Sequence, residues 1–329
     1  MPLYQPFQKF TFDNNHCFLS GEKLLLSSKK TVFPAWLIQQ YNLLDRPFKM
    51  LDERMLSYAD IQVPICESTQ KNLDKLEDEM KIALKKGYEG LKELPEIQLF
   101  QWASKIVYGI IFNELQAAIK QNTNTEEGFN MSQSLIHKFA NLHTMLQSII
   151  QPIVFEDFKP WSIFLYPVKN PSDEFTYRDE INTLTFSLRM NDFGLIINLQ
   201  DNGLNYLYHK EILNKINDKP LHPIQFEELS ARVFYSAYLF NRLPEYHIIP
   251  TPTETFISTM PVRGMSNKPI FDDWQPKIYA QVLENFWKRW QILLLQIIKN
   301  PLKPISYLLD EDDAFVECEN LIPPVINEL

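Results

Sequence analysis

The chain has 329 residues, 45% hydrophobic and 22% charged, the balance of a globular protein with a sizeable apolar core in one large or two ordinary domains. With 8 glycines and no G-x-G-x-x-G or G-x-x-x-x-G-K-[ST] pattern it offers no Rossmann or P-loop phosphate cradle, and its 22 prolines imply many rigid turns. A net charge of −9 argues against a broad electrostatic grip on nucleic acid; charges nearly cancel from Met1 to Lys86, and the surplus acid lies beyond, ending in Asp310-Glu311-Asp312-Asp313.

Residues 1–66 read as short apolar runs broken by turns, with Phe10-Thr11-Phe12 and Lys23-Leu24-Leu25-Leu26 as strand candidates. From Ser68 the pattern turns helical: Leu73, Leu76, Met80 and Leu84 recur at three- and four-residue steps, with Ser68 or Thr69 as N-cap. A second helix is expected from Pro95, its stripe made of Leu99, Phe100, Ala103, Ile106, Val107, Ile110 and Ile111. The polar stretch from Gln121 to Gly128 reads as a loop, and Leu135, Phe139, Leu142, Leu146 and Ile149 mark a third helix that stops before Pro152.

The second half changes character. Trp161 to Val168 is an expected strand, and strict alternation from Leu184 to Met190 predicts another with one face buried. Leu195–Leu199 and Leu204–Tyr208 flank Asp201-Asn202-Gly203, a hairpin signal. A helix over 225–241, strands over 246–249 and 255–260, and a long last helix from Pro276 to before Pro301 complete the pattern. The expectation is an α+β protein. Residues 1–150 form one part, and 151–329 an antiparallel sheet with packed helices.

Cys17, Cys66 and Cys318 are too few, and odd in number, for a disulfide framework; they read as reduced thiols of a cytoplasmic protein. Met1-Pro2-Leu3-Tyr4-Gln5 lacks the basic and apolar regions of a signal peptide. The most apolar helical stretch, Ile292 to Ile298, falls well short of the ~20 residues a bilayer requires and reads as a core helix.

Three local patterns in the first half belong together: Cys17-Phe18-Leu19-Ser20-Gly21, then Lys30-Thr31-Val32-Phe33-Pro34-Ala35-Trp36-Leu37, then Val63-Pro64-Ile65-Cys66-Glu67-Ser68-Thr69-Gln70 leading into Leu73-Asp74-Lys75-Leu76-Glu77. In order and spacing they resemble a group of bacterial HNH-endonuclease-like proteins. There, C-x-x-C-G precedes E-H-[IV]-[FI]-P-x-W-L, followed by [VI]-C-x-x-C-N and a helix carrying L-x-x-L-E. The resemblance spans roughly residues 10–115, including the Trp102-x-x-Lys105-Ile106 helix. It implies a small ββα-metal unit of the treble-clef type, with two C-x-x-C knuckles on a structural zinc and a histidine that activates water against a metal-bound phosphodiester.

Position by position, the scaffold matches and the chemistry does not. Cys17 and Cys66 stand as the first cysteine of each knuckle, but Ser20 and Thr69 replace their partners, Gln70 replaces the asparagine, and Lys30-Thr31 replaces Glu-His. Phe33, Pro34, Trp36, Leu37, Leu73, Leu76 and Glu77 are as the family has them. Neutral hydroxyls are poor zinc ligands, and a threonine is far too weak a base near pH 7. The expectation is therefore a metal-free, cofactor-free pseudonuclease acting as a binding or interaction module, with no catalytic or metal-binding residue assigned. A protein partner is expected to be its counterpart; the acidic balance lends nucleic acid no support.

Two rivals are kept. One is an active metal-dependent nuclease using His16, Cys17 and Cys66. The other is an enzyme of a different class with its site in the second half, around Arg178, Asp179 and His209. Elsewhere, His137 and His143 fall on different faces of one helix, and His209, His222 and His247 read as capping or surface residues. Asp173, Glu174, Arg178, Asp179 and Glu180 read as a charged loop, Asp201-Asn202 as turn chemistry, and Asp310–Asp313 as a solvated segment. Trp274, Phe286, Trp287 and Trp290 read as core.

Overall fold

The computed structural model describes residues 2–25, 28–122, 131–169, 174–261, 267–300 and 303–322. In chain order its elements are β1 (Lys29–Thr31), α1 (Ala35–Gln40), β2 (Pro47–Lys49), β3 (Met55–Ser57), β4 (Gln62–Pro64), α2 (Glu67–Lys85), α3 (Tyr88–Lys92), α4 (Glu96–Asn122) and α5 (Gln133–Leu146). Then follow β5 (Ile153–Phe155), β6 (Ser162–Pro167), β7 (Thr176–Glu180), β8 (Thr185–Met190), β9 (Phe193–Asn198), α6 (Leu204–Tyr208), α7 (Lys210–Ile216), α8 (Pro223–Leu239), β10 (Tyr246–Pro250), β11 (Thr255–Thr259), α9 (Pro276–Phe286) and α10 (Leu294–Ile297). Helices and mainly antiparallel sheets make this an α+β protein, as the sequence predicts. The loop expected over 121–128 lies largely outside the described residues.

Two compact units divide the chain, and neither is continuous. Unit 1 takes the described residues of Met1–Lys85, Glu93–Lys159 and Leu243–Met260; unit 2 takes those of Lys86–Lys92, Pro160–Arg242 and Pro261–Leu329. Unit 1 thus runs past residue 150 and recruits a hairpin from the second half, because β11 pairs in parallel with β5 and antiparallel with β10.

In unit 1, β1 pairs antiparallel with β4, setting Thr31 opposite Gln62, and α2 follows directly. The stripe Leu73, Leu76, Met80 and Leu84 is buried as its spacing demands. On α4 the burial is wider than a stripe: apart from Gln101, every residue from Leu99 to Phe112 is buried, Ser104 and Lys105 included. The Phe10–Phe12 strand is not formed. Phe10 takes a positive φ of 48°, and the turn carries Phe12 against Phe7 and Phe112, with ring centroids 5.0 and 5.6 Å away. Of Lys23–Leu26, Lys23 makes an isolated bridge to His16, Leu25 is exposed and Leu26 is outside the described residues.

Unit 2 is built on an antiparallel sheet in the order β6-β9-β8-β7, with α8 between that sheet and α9. Phe226, Leu229 and Val233 of α8 pack with Phe164 and Ile196, while Ala231, Tyr235 and Leu239 pack with Tyr279, Leu283 and Trp287. Both faces of β8 are buried, so the alternation that predicted one wet face understates its enclosure. The hairpin expected at Asp201–Gly203 is instead a strand-to-helix turn. The Asp201 carboxylate accepts from the Asn205 backbone N–H at 2.8 Å and from Ser162 Oγ at 2.6 Å, and the chain enters α6. The tight hairpin lies at Asn191-Asp192, where Met190 pairs with Phe193 and Asn191 takes φ 46°. The long last helix is broken: α9 stops at Phe286 and Gln291 turns left-handed at φ 54° before the short α10. Within Ile292–Ile298, Ile292 and Ile297 are buried while Leu293 and Leu295 are exposed. No helix among the described residues is long and apolar enough to cross a membrane.

Candidate functional site

The Cys17–Gly21 segment folds as a tight loop. His16 bridges Lys23, the Cys17 N–H donates to the Glu22 carbonyl at 2.8 Å, and the Gly21 N–H donates to the Cys17 carbonyl at 2.9 Å. Gly21 sits at φ 71°, and a Cβ there would lie 2.3 Å from the Tyr4 ring, so only glycine closes this loop without displacement. The Phe18 N–H donates to the Pro64 carbonyl at 2.9 Å, fastening the loop to the strand that leads into α2.

That helix begins two or three residues earlier than its expected N-cap implies. Cys66, not Ser68 or Thr69, holds the N-cap position, and Thr69 is buried in the first turn. The four positions 17, 20, 66 and 69 therefore converge. The Cys17 and Cys66 thiols both donate to Thr69 Oγ1, at 3.4 and 3.2 Å, and Ser20 Oγ lies 3.4 Å from Cys66 Sγ. Ser68 Oγ adds a fourth hydroxyl–thiol contact at 3.3 Å from Cys66. Burial pushes the Cys66 thiol up, but the hydroxyls of Ser20, Ser68 and Thr69 outweigh it and hold the thiol below the ordinary cysteine value. Two thiols and two neutral hydroxyls in this arrangement form a hydrogen-bonded cluster, not a zinc tetrahedron. His16 is not part of it: its Nδ1 lies 3.0 Å from Asp13. Among the described residues no three His, Cys, Asp or Glu side chains group to hold a metal ion.

The neighbouring position, where the resemblance places Glu-His, is filled by an ion-pair network. Lys30 on β1 reaches Asp74 at 2.7 Å and Glu77 at 2.9 Å, both on α2. Lys105 of α4, 1% exposed, donates to Glu77 Oε1 at 2.6 Å and to the Val32 carbonyl at 2.5 Å. Burial lowers the Lys30 ammonium less than Glu77 and Asp74 raise it, so it stands above its usual value. Complete burial pulls Lys105 down against the opposing pull of Glu77. Two lysines are thus balanced by two carboxylates, and the network holds no imidazole able to take a proton from water near pH 7. The resemblance places Glu77 and Lys105 in the scaffold but does not reveal that they pair; the signal in the sequence is a lysine inside an apolar helix stripe.

The remaining histidines divide by environment. His143 is buried, its Nε2–H donating to the Phe18 carbonyl at 3.1 Å, so it braces the Cys17–Gly21 loop from α5. Burial depresses its imidazole from 6.5 to about 4, and it is neutral in the folded protein. As pH falls the unfolded imidazole takes its proton first, so this stabilisation is complete above pH 6.5 and is lost between 6.5 and about 4. The loss should amount to about 3 kcal/mol. Urea midpoints at pH 7 and 4.5 are expected to diverge accordingly, with the divergence reduced in His143→Gln.

His209 is not the surface residue its position suggested. It is 5% exposed, lies 2.8 Å from the buried Ser236 hydroxyl, and is depressed to about 3 by burial and by Arg232. It lines a cavity of about 350 Å³ in unit 2 with Tyr208, Lys215, Arg232, Trp274 and Asp313. Arg178 and Asp179 do not line that cavity; they lie on β7, a strand and not the expected loop, and Arg178 pairs with the buried Glu227 at 3.5 Å. The structure therefore does not bring Arg178, Asp179 and His209 together there. Glu174 pairs with Arg189 and Arg289, and Asp173 is outside the described residues. His222 caps α8, His247 is exposed, and Phe286, Trp287 and Trp290 are core. Residues Asp310–Asp313 are exposed, Asp313 pairing with Lys215. Comparisons with protein-family models, curated proteins and solved structures find no match to this chain.

Proposed function

We propose that unit 1 is a catalytically inactive, HNH-like pseudonuclease module that serves as a binding or interaction module for a protein partner. One observation carries this reading. Positions 17, 20, 66 and 69, assigned to zinc by the resemblance, come together in space, yet they present two thiols and two hydroxyls. Two further features support it. β1, β4 and α2 form a strand pair followed by a helix, the order a ββα unit requires. At the place of the Glu-His pair, Lys30 is held by Asp74 and Glu77 and offers no general base.

The test is direct. Purified full-length protein incubated with supercoiled plasmid and Mg²⁺, Mn²⁺ or Zn²⁺ should leave the plasmid intact, and elemental analysis should find no stoichiometric zinc. Metal-dependent nicking abolished by His16→Ala, or a tightly held zinc ion, would overturn the reading.

A further inference from the structure

The two thiols retained in the cluster come from different segments, one from the loop at Cys17 and one from the cap of α2 at Cys66. Both donate to the same Thr69 hydroxyl, and the backbones carrying them are joined nearby by the Phe18–Pro64 hydrogen bond. We infer that Cys17 and Cys66 form a reversible redox pair, in which a hydroperoxide oxidises Cys66 and Cys17 resolves it to an intramolecular disulfide. The inference stands on the side chains present and does not need the nuclease-like ancestry.

The division of labour follows from the surroundings. Cys66 caps a 19-residue helix, whose N-terminal partial positive charge favours a thiolate. The hydroxyls of Ser20 and Ser68, at 3.4 and 3.3 Å, can each turn a proton toward that sulfur. Cys66 is 5% exposed beside the exposed Glu67 and Ser68, whereas Cys17 is fully enclosed. Attack therefore starts at Cys66. Its thiolate bonds to the distal oxygen of the hydroperoxide, the O–O bond breaks, and the departing alkoxide takes up the proton that Cys66 shed, leaving as an alcohol. Cys17 then attacks the sulfenic sulfur; the S–S bond forms, the S–O bond breaks, and hydroxide leaves with the Cys17 proton as water. Two thiols and one hydroperoxide yield one disulfide, one alcohol and one water. Cys318 lacks such support: burial raises its thiol, and Glu317 and Glu319 flank it.

The experiment uses full-length protein and its Cys318→Ser variant, each treated with a modest excess of hydrogen peroxide. The remaining thiols are blocked with maleimide in denaturant, and non-reduced peptides are analysed by mass spectrometry. The expected result is a Cys17–Cys66 linked peptide in both proteins, two hydrogens lost per chain, and full reversal by dithiothreitol. The cross-link should raise the melting temperature by roughly 5–10 °C. In Cys17→Ser the same treatment should give a dimedone-trappable sulfenic acid at Cys66. Should that variant fail to fold, Cys318→Ser still decides the matter, since it retains both thiols of the pair. Both thiols remaining labelled, oxidation confined to Cys318, or links forming only between separate chains would overturn the inference.

Discussion

Glu77→Ala is expected to lower the unfolding free energy by about 3–5 kcal/mol, among the largest losses from a single truncation in unit 1. Glu77 binds two ammonium groups at once, Lys105 at 2.6 Å and Lys30 at 2.9 Å. Lys30 keeps Asp74, but Lys105 keeps the Val32 carbonyl and no carboxylate within ion-pair range among the described residues. An amine at 1% exposure must then either stay charged without its counter-ion or give up its proton at neutral pH, and both are costly. Lys105→Met removes the cation that most needs the carboxylate, so it should cost clearly less than Glu77→Ala. Combining the two should recover part of the Glu77→Ala loss. Urea titrations of the two single variants and the double variant give the coupling, and an additive result would show that the pair does not act as a unit.

In unit 2 the corresponding weak point is Glu228, which is 0% exposed on α8. Its carboxylate accepts from Ser306 Oγ at 2.7 Å and from the backbone N–H groups of Tyr307 and Leu308 at 2.6 and 3.1 Å. It also receives Arg232 at 3.2 Å. One side chain thereby fastens the segment around Ser306–Leu308 to the core helix. Glu228→Ala is expected to cost about 3–5 kcal/mol, because it leaves buried donors and a largely enclosed guanidinium unmet. The mechanism has its own signature. Amide exchange at Tyr307 and Leu308 should accelerate more than exchange in β8 and β9. Glu228→Gln, which keeps an acceptor but no charge, should fall between wild type and alanine.

The parts of this molecule legible in the sequence are those set by local periodicity. The spacing of Leu73, Leu76, Met80 and Leu84 identified the buried face of α2, and the runs at 161–168 and 184–190 marked two strands of the unit 2 sheet. Where a side chain reaches out of its own segment, the reading failed. Asp201-Asn202-Gly203 has hairpin composition, but the Asp201 carboxylate spends its lone pairs on Ser162 and Asn205 and starts a helix. The actual turn at Asn191-Asp192 lay within what read as the gap between two apolar runs. The break at Gln291 has no marker, since no glycine or proline occupies it.

The candidate site was half legible. Cys17, Ser20, Cys66 and Thr69 could be singled out by their order, and their hydroxyls judged unfit for zinc. The ion pairs that fill the adjacent position join residues far apart along the chain, Lys30 to Asp74 and Glu77 to Lys105, and no single window contains both ends. The spacing of His143 to His137 argues only against a shared ligand pair, and its actual task, bracing the Phe18 carbonyl, is equally non-local.

The hairpin of β10 and β11 has a consequence for how the chain is made. β11 is the middle strand of the β10-β11-β5 sheet, so β5 has no neighbour in that sheet until Thr255–Ile257 has been synthesised. By then β6 to β9 and α8 have already been made, and the unit 2 sheet is complete in sequence before unit 1 is. Vectorial synthesis therefore interleaves the units: unit 1 holds an open strand edge until β11 is made, and unit 2 in turn waits for α9 and the other described residues of Pro261–Leu329.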